Sequence, residues 1–180
     1  LGSSLRDLDV RIVTDFETYR LSGSGVLVAS SLPALPVVAT GQFSNGELAL
    51  SNLEITLDQG RAALSGRYRL EGQAFQGALV LEELPLPLLK PLLPVAITNS
   101  ITLLGQISTR AAISIIDGHI DLDLPNISGV VNQRALSGSA RLSAKDLSDM
   151  ILSVTMKLGD NQLATQLDMA SQKAQLDFSG

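Results

Sequence analysis

The chain has 180 residues, a formal net charge of −5 and no cysteine, with 45% hydrophobic but only 3% aromatic residues. That length suits one sizeable section and shows no linker that would split it, so residues 1–180 read as a single unit. The acidic balance, without a basic stripe or aromatics interleaved with Arg or Lys, excludes ordinary nucleic-acid binding, and the missing cysteines exclude disulfides and thiolate metal sites.

In chain order, Leu8, Val10, Ile12 and Phe16 define a first strand, with Asp7, Asp9 and Arg11 on its other face. A second strand runs over 19–29, where Gly23 and Gly25 mark a bulge or bend. Residues 32–36 read as extended connection, followed by a short strand over 37–43 and a hairpin signal at Ser44-Asn45-Gly46. The stretch 47–70 sets the pattern for the rest. Leu48, Leu50, Leu53, Ile55 and Leu57, then Ala62, Leu64, Tyr68 and Leu70, alternate with polar residues. Asn52 and Gly60 sit where turns are expected, so the stretch reads as successive short antiparallel strands. Another strand covers 72–81.

Residues 84–104 break the alternation. This is the longest apolar run, but Pro85, Pro87, Pro91, Pro94 and Lys90 rule out a spanning helix. It reads as a short apolar cap over an open end of a sheet, with a helical turn limited to 88–93. Any membrane anchor is expected outside this stretch of chain. Alternation then returns at 107–116, at Ile120, Leu122 and Leu124, and in separate pieces over 128–131 and 135–142. Residues 145–148 suit a small turn of helix. Leu152, Val154, Met156 and Leu158 reverse at Gly159-Asp160-Asn161 into Leu163, Leu167 and Met169, then Ala174, Leu176 and Phe178. Strands of this kind are on the order of 20–25 Å long. About a dozen of them with almost no helix must close on themselves or fold face to face, so the fold is all-β.

Candidate sites are few. Asp117, His119, Asp121 and Asp123 line one face of one strand; side chains in a line do not converge on a cation, and the wet face of an amphipathic strand explains them. Gly23-Ser24-Gly25 is not a nucleophile elbow, and no dinucleotide or phosphate loop is present. The sequon at Asn126-Ile127-Ser128 is short enough to occur by chance. No catalytic machinery and no cofactor are expected. What remains is the aliphatic face, read either as the core of a β-sandwich or as an open groove able to bury acyl chains. Few rings and many small aliphatics suit a smooth, unspecific lining.

Asn52–Leu70 and Leu152–Gly180 resemble the recurring phrase of the TamB family, the AsmA-like inner-membrane subunits of the translocation and assembly module. Leu81–Ser108 is similar to the Leu-Pro spacer between blocks of that family. The resemblance implies a fragment of the C-terminal half of such a protein. It also implies a β-taco: an elongated, mostly antiparallel sheet folded lengthwise into a trough with a hydrophobic interior. It further implies a location in the periplasm of a Gram-negative bacterium, as part of an inner-membrane-anchored protein. The expected partners are a TamA-like outer-membrane barrel and either phospholipid acyl chains or unfolded outer-membrane β-strands. The expected function is a non-enzymatic conduit for phospholipid transport that also serves autotransporter assembly. The groove-lining residues are expected to be Leu53, Ile55, Leu57, Leu152, Val154, Met156, Leu158, Leu163, Leu167, Met169, Leu176 and Phe178. A chaperone-like scaffold offering sheet edges to unfolded strands, and a structural sandwich or solenoid section of an adhesin, are the two other readings.

Overall fold

The computed structural model describes residues 3–29, 34–57, 59–88, 104–146 and 148–180. Twelve strands form one open antiparallel sheet in which spatial order equals chain order. They are β1 (Ser3–Thr14), β2 (Tyr19–Ala29), β3 (Leu35–Ser44), β4 (Glu47–Leu57), β5 (Gly60–Arg69) and β6 (Ala74–Pro85), then β7 (Gly105–Ile116), β8 (His119–Val131), β9 (Arg134–Ala144), β10 (Ile151–Leu158), β11 (Asn161–Asp168) and β12 (Lys173–Ser179). Each strand pairs antiparallel with the next one in the chain, the arrangement in which short connections suffice. No second sheet lies across either face among the described residues. The all-β fold is therefore as expected, and the sandwich alternative lacks its other half.

The strands are longer than expected. Most have 10 to 13 residues, or about 33–43 Å at roughly 3.3 Å per residue. The shorter reading came from taking irregularities as turns. Asn52 lies inside β4, where the pairing skips between Leu50 and Leu53 against Gly66 and Leu64. The pieces at 119–124 and 128–131 are one strand, β8, interrupted between Leu124 and Ile127 against Ala140 and Gly138. In both places one strand carries three steps against its partner's two, which is a β-bulge. β1 and β6 have the same feature, between Arg6 and Asp9 and between Leu81 and Leu84. Their bulged residues Asp7 and Glu83 adopt positive φ, 51° and 50°. Bulges increase local right-handed twist and curl a sheet, so four bulged strands curve this one.

Other sequence expectations are corrected on detail. The β1–β2 irregularity falls on β1 and not on the glycine-rich β2, which runs unbroken. Leu35 and Pro36 belong to β3 and are not connection. Phe16 sits in the β1–β2 turn and not in the first strand. The described residues on either side of 147 form a bend and turn: the Lys145 and Asp146 amides both donate to Asp149 Oδ1, and the Ser148 amide donates to Asp146 Oδ1. The apolar cap expected at 84–104 lies largely outside the described residues. Of its described part, residues 84–85 finish β6 and 86–88 make a 3-10 turn.

An ordinary folded protein of 19.0 kDa has an accessible surface of about 8,400 Å². This chain exposes 12051 Å². An open sheet with no opposite layer among the described residues exposes this kind of excess. Only Leu35, Leu57, Leu84, Leu86, Ala111 and Ile127 are buried hydrophobics among the described residues.

Candidate functional site: one continuous apolar face

Register decides which residues share a face, because directly paired residues of adjacent strands point the same way. One file of paired residues crosses the whole sheet without interruption: Ile12, Leu21, Gly41, Leu50, Gly66, Gly77, Ile113, Leu122, Leu142, Leu152, Leu167 and Ala174. A parallel file runs through Val37, Ile55, Ala62, Leu81, Thr109, Ile127, Gly138, Met156, Leu163 and Phe178. Between them lie Ala39, Leu53, Leu64, Leu79 and Ala111, and on the far half Leu124, Ala140, Val154, Thr165 and Leu176. Every position on these files is aliphatic, aromatic, Met, Gly or Thr. Eleven spacings of about 4.8 Å make the twelve-strand file roughly 53 Å long.

The structure therefore brings the expected lining residues together on one face. Leu53, Ile55 and Leu57 enter it from β4, Leu152, Val154, Met156 and Leu158 from β10, Leu163 and Leu167 from β11, and Leu176 and Phe178 from β12. Met169 lies just past β11, where its amide donates to the Met150 carbonyl. Covering differs along the sheet. Leu57 is buried, whereas Leu176 and Phe178 on the edge strand are 69% and 72% exposed.

The strand ends form two lips along opposite edges of this face. At one lip the buried Leu35, Leu57 and Leu84 form a cluster, with Leu27, Ile55, Leu81, Leu88 and Ile107 packed against it. Leu57 and Leu84 belong to β4 and β6, which are not neighbours; the intervening partner of Leu57 is Gly60, where a Cβ would stand 2.5 Å from the Glu82 and Glu83 carbonyl oxygens of β6. At the other lip Tyr19, Phe43, Leu48, Tyr68, Phe75, Ile115 and Ile120 pair in one file. The Tyr19 and Phe43 rings lie 6.4 Å apart, centroid to centroid, in tilted geometry, a favourable aromatic arrangement. Next to it, Phe75 covers the Gly66–Gly77 pair, its Cζ only 2.7 Å from where a Cβ of either glycine would stand. A ring lying over a strand glycine shields backbone that the glycine leaves bare.

This aromatic file was missed from the sequence, where the few rings were counted but not placed. Five of the chain's six aromatics, Phe16 included, lie at that lip. The available signal was their spacing from the turns: Phe43 precedes the Asn45-Gly46 turn by two residues, and Tyr68 and Phe75 flank the turn at 71–73.

The opposite face carries the ion pairs, with Val13, Val38, Val80 and Ile151 set among its polar residues. Arg61 donates to both carboxylate oxygens of Glu82, at 2.6 and 2.9 Å, and approaches Glu54 at 3.5 Å. The Glu82 carboxyl is held below its ordinary value by these Arg61 hydrogen bonds, and the Arg61 guanidinium is raised by the same contact. Glu47 meets Arg69 at 3.3 Å and Arg67 at 3.8 Å. Asp121 and Asp123 are on this face, paired with Ser143 and Arg141. His119 Nε2 is 2.9 Å from Ser143 Oγ and 3.5 Å from Asp121, while Asp117 is a turn residue with φ 51°. The row does not converge, and no group of three or more potential ligands able to hold a metal exists among the described residues. Asn126 sits in the β8 bulge, its carbonyl accepting from the buried Thr109 hydroxyl at 3.0 Å. That bond satisfies backbone which the bulge takes out of register.

An open, twelve-stranded sheet with one continuous apolar face and ion pairs on the other defines an open-sheet β protein. Residues 3–179 match the family described as "TamB, N-terminal domain", and the chain belongs to that family. No curated protein and no solved structure matched the chain. The match corrects one expectation, since it is to the N-terminal domain and not to the C-terminal half. The family consists of transport and assembly scaffolds not known for enzymatic activity. Its members span the periplasm from an inner-membrane anchor and work with a TamA-type outer-membrane protein. No described helix is long and apolar enough to cross a membrane.

Proposed function

We propose that this chain is one section of a lipid conduit, its apolar face receiving phospholipid acyl chains while head groups stay in water. The observation that carries the reading is the continuity of that face across twelve strands with nothing from the described chain packed over it. A sheet that buries its greasy side against a second layer needs no such continuity. A passage for acyl chains does, because each methylene moved from hydrocarbon to water costs about 0.8 kcal/mol. Interrupting the lining for a chain of some fourteen methylenes therefore carries a gross penalty of up to roughly 11 kcal/mol. The lining is Leu53, Ile55, Leu57, Leu152, Val154, Met156, Leu158, Leu163, Leu167, Met169, Leu176 and Phe178, extended by the files around them. Its lack of directed polar groups on these files makes it generic for acyl chains. In this reading the chain acts within a periplasm-spanning assembly with a TamA-like barrel.

The test is site-specific photo-crosslinking in cells grown with radioactive phosphate. A photoreactive residue at Val154, on the apolar face, yields labelled lipid adducts; at its neighbour Thr155, on the polar face, it does not. Equal labelling at both positions refutes an acyl path along this face.

A further inference from the structure

The β1–β2 turn carries a feature that a lipid conduit does not use. Phe16 is 97% exposed, yet it has φ 74°, a conformation that is an outlier for a bulky residue. The turn is held in this shape. The Phe16 amide donates to Thr14 Oγ1 at 3.1 Å and the Thr18 amide to Asp15 Oδ1 at 2.9 Å. A large ring is thus presented to solvent on a braced, strained backbone, and strain of this kind concentrates at functional sites.

Its surroundings define what it presents to. Tyr19 is close by in sequence and partly exposed, and Leu70, at the β5–β6 turn on the same lip, is also exposed. The turn tips at this lip between β1 and β8 carry Asp15, Glu17, Glu71 and Asp117 and no Lys or Arg. Arg20, within β2, reaches only Asp15, at 4.0 Å. Apolar knobs set among carboxylates are repelled by an anionic bilayer surface and complement a polypeptide that alternates apolar with basic side chains.

We infer that this lip is a protein-docking site, with Phe16 as anchor, for a cationic amphipathic segment of a partner polypeptide. The inference is independent of the acyl-chain reading, since it concerns the lip tips and not the apolar face. An aromatic side chain entering a pocket of a partner is a frequent interface hot spot, and the carboxylates set orientation and salt dependence.

The experiment uses the whole 180-residue chain and fluorescein-labelled peptides read by anisotropy. A peptide alternating Leu and Lys binds, and its Leu/Glu counterpart does not. Phe16→Ser weakens binding at least about tenfold and Phe16→Trp retains it. Phe16→Gly also abolishes binding while raising the melting temperature, because glycine adopts this φ without strain. That opposition separates a functional ring from a structural one. Three results overturn the inference: no binding of the Leu/Lys peptide by the native chain, binding unaffected by Phe16→Ser, or Phe16-dependent adsorption to phosphatidylethanolamine–phosphatidylglycerol vesicles in preference to the peptide.

Discussion

Gly66 and Gly23 both lie on the apolar face inside strands, and substituting each by alanine has opposite expected effects. At Gly66 a Cβ would stand 2.5 Å from the Gln76 carbonyl oxygen, 2.7 Å from Phe75 Cζ and 2.8 Å from Gly77 Cα. Two of those atoms are backbone of the paired strand, so β5 and β6 must separate. Overpacking of this kind costs about 1–3 kcal/mol, and the smaller unfolded-state entropy of alanine returns about 0.4–1 kcal/mol. The net is a loss of up to about 2.6 kcal/mol, centred on about 1.3 kcal/mol. For a chain of this size each kcal/mol moves the melting temperature by about 2–4 °C, so Gly66→Ala melts about 3–5 °C lower at the centre of that range. At Gly23 the nearest atoms would be the Asp9 carbonyl oxygen at 3.3 Å and Val10 Cγ2 at 3.7 Å. These contacts need a shift of only a few tenths of an ångström, so the entropy gain dominates and Gly23→Ala melts at or up to about 4 °C above the parent. Thermal unfolding followed by far-UV circular dichroism measures both. If the two variants shift equally, or Gly66→Ala is the more stable, the close approach of β5 and β6 is not what selects glycine there.

Leu57→Ala removes a buried member of the lip cluster and costs about 2–3 kcal/mol, whereas Leu176→Ala, on the open edge, changes stability by less than about 0.5 kcal/mol; chemical denaturation of the two variants tests the contrast. On the polar face, Arg61 lowers the Glu82 carboxyl below its ordinary 4.5. A carboxylate with a folded value below its unfolded one stabilises above pH 4.5, and that contribution is lost as pH falls through the lowered value. Titration of the Glu82 carboxyl carbon by NMR shows a midpoint under 4.5 that moves back toward it in Arg61→Gln; an unmoved midpoint means the ion pair does not form in solution. Thr109→Val leaves the Asn126 carbonyl without its donor and costs about 1 kcal/mol, and faster amide exchange confined to the β8 bulge is the readout.

Alternation was enough to assign the fold class and to select residues that turn out to share a face. A period of two survives any register, so Leu53, Ile55 and Leu57 could be grouped without knowing their neighbours. Bulges were the hard part. A bulge and a turn both draw on Asn, Asp, Pro and Gly, and only cross-strand pairing separates them; hence Asn52 looked like a turn and Pro125-Asn126 like a gap between strands. The lip arrangement depends on which residues lie opposite each other over 24 to 40 positions of sequence, as Tyr19 with Phe43 and Phe75 with Ile115 do. No local pattern encodes that. The strain at Phe16 was equally hidden, because the alternation Val10, Ile12 to Phe16 made the ring look like one more strand residue.

The most direct test of the conduit is native mass spectrometry of the purified chain, with lipid extraction from the same sample. Phospholipid co-purifying with the native chain, and lost from a folded Val154→Arg variant because an unpaired charge on the apolar face is costly to desolvate, is the predicted result. A native chain that carries no lipid, or a Val154→Arg variant that carries as much as the native one, contradicts an acyl path across this sheet.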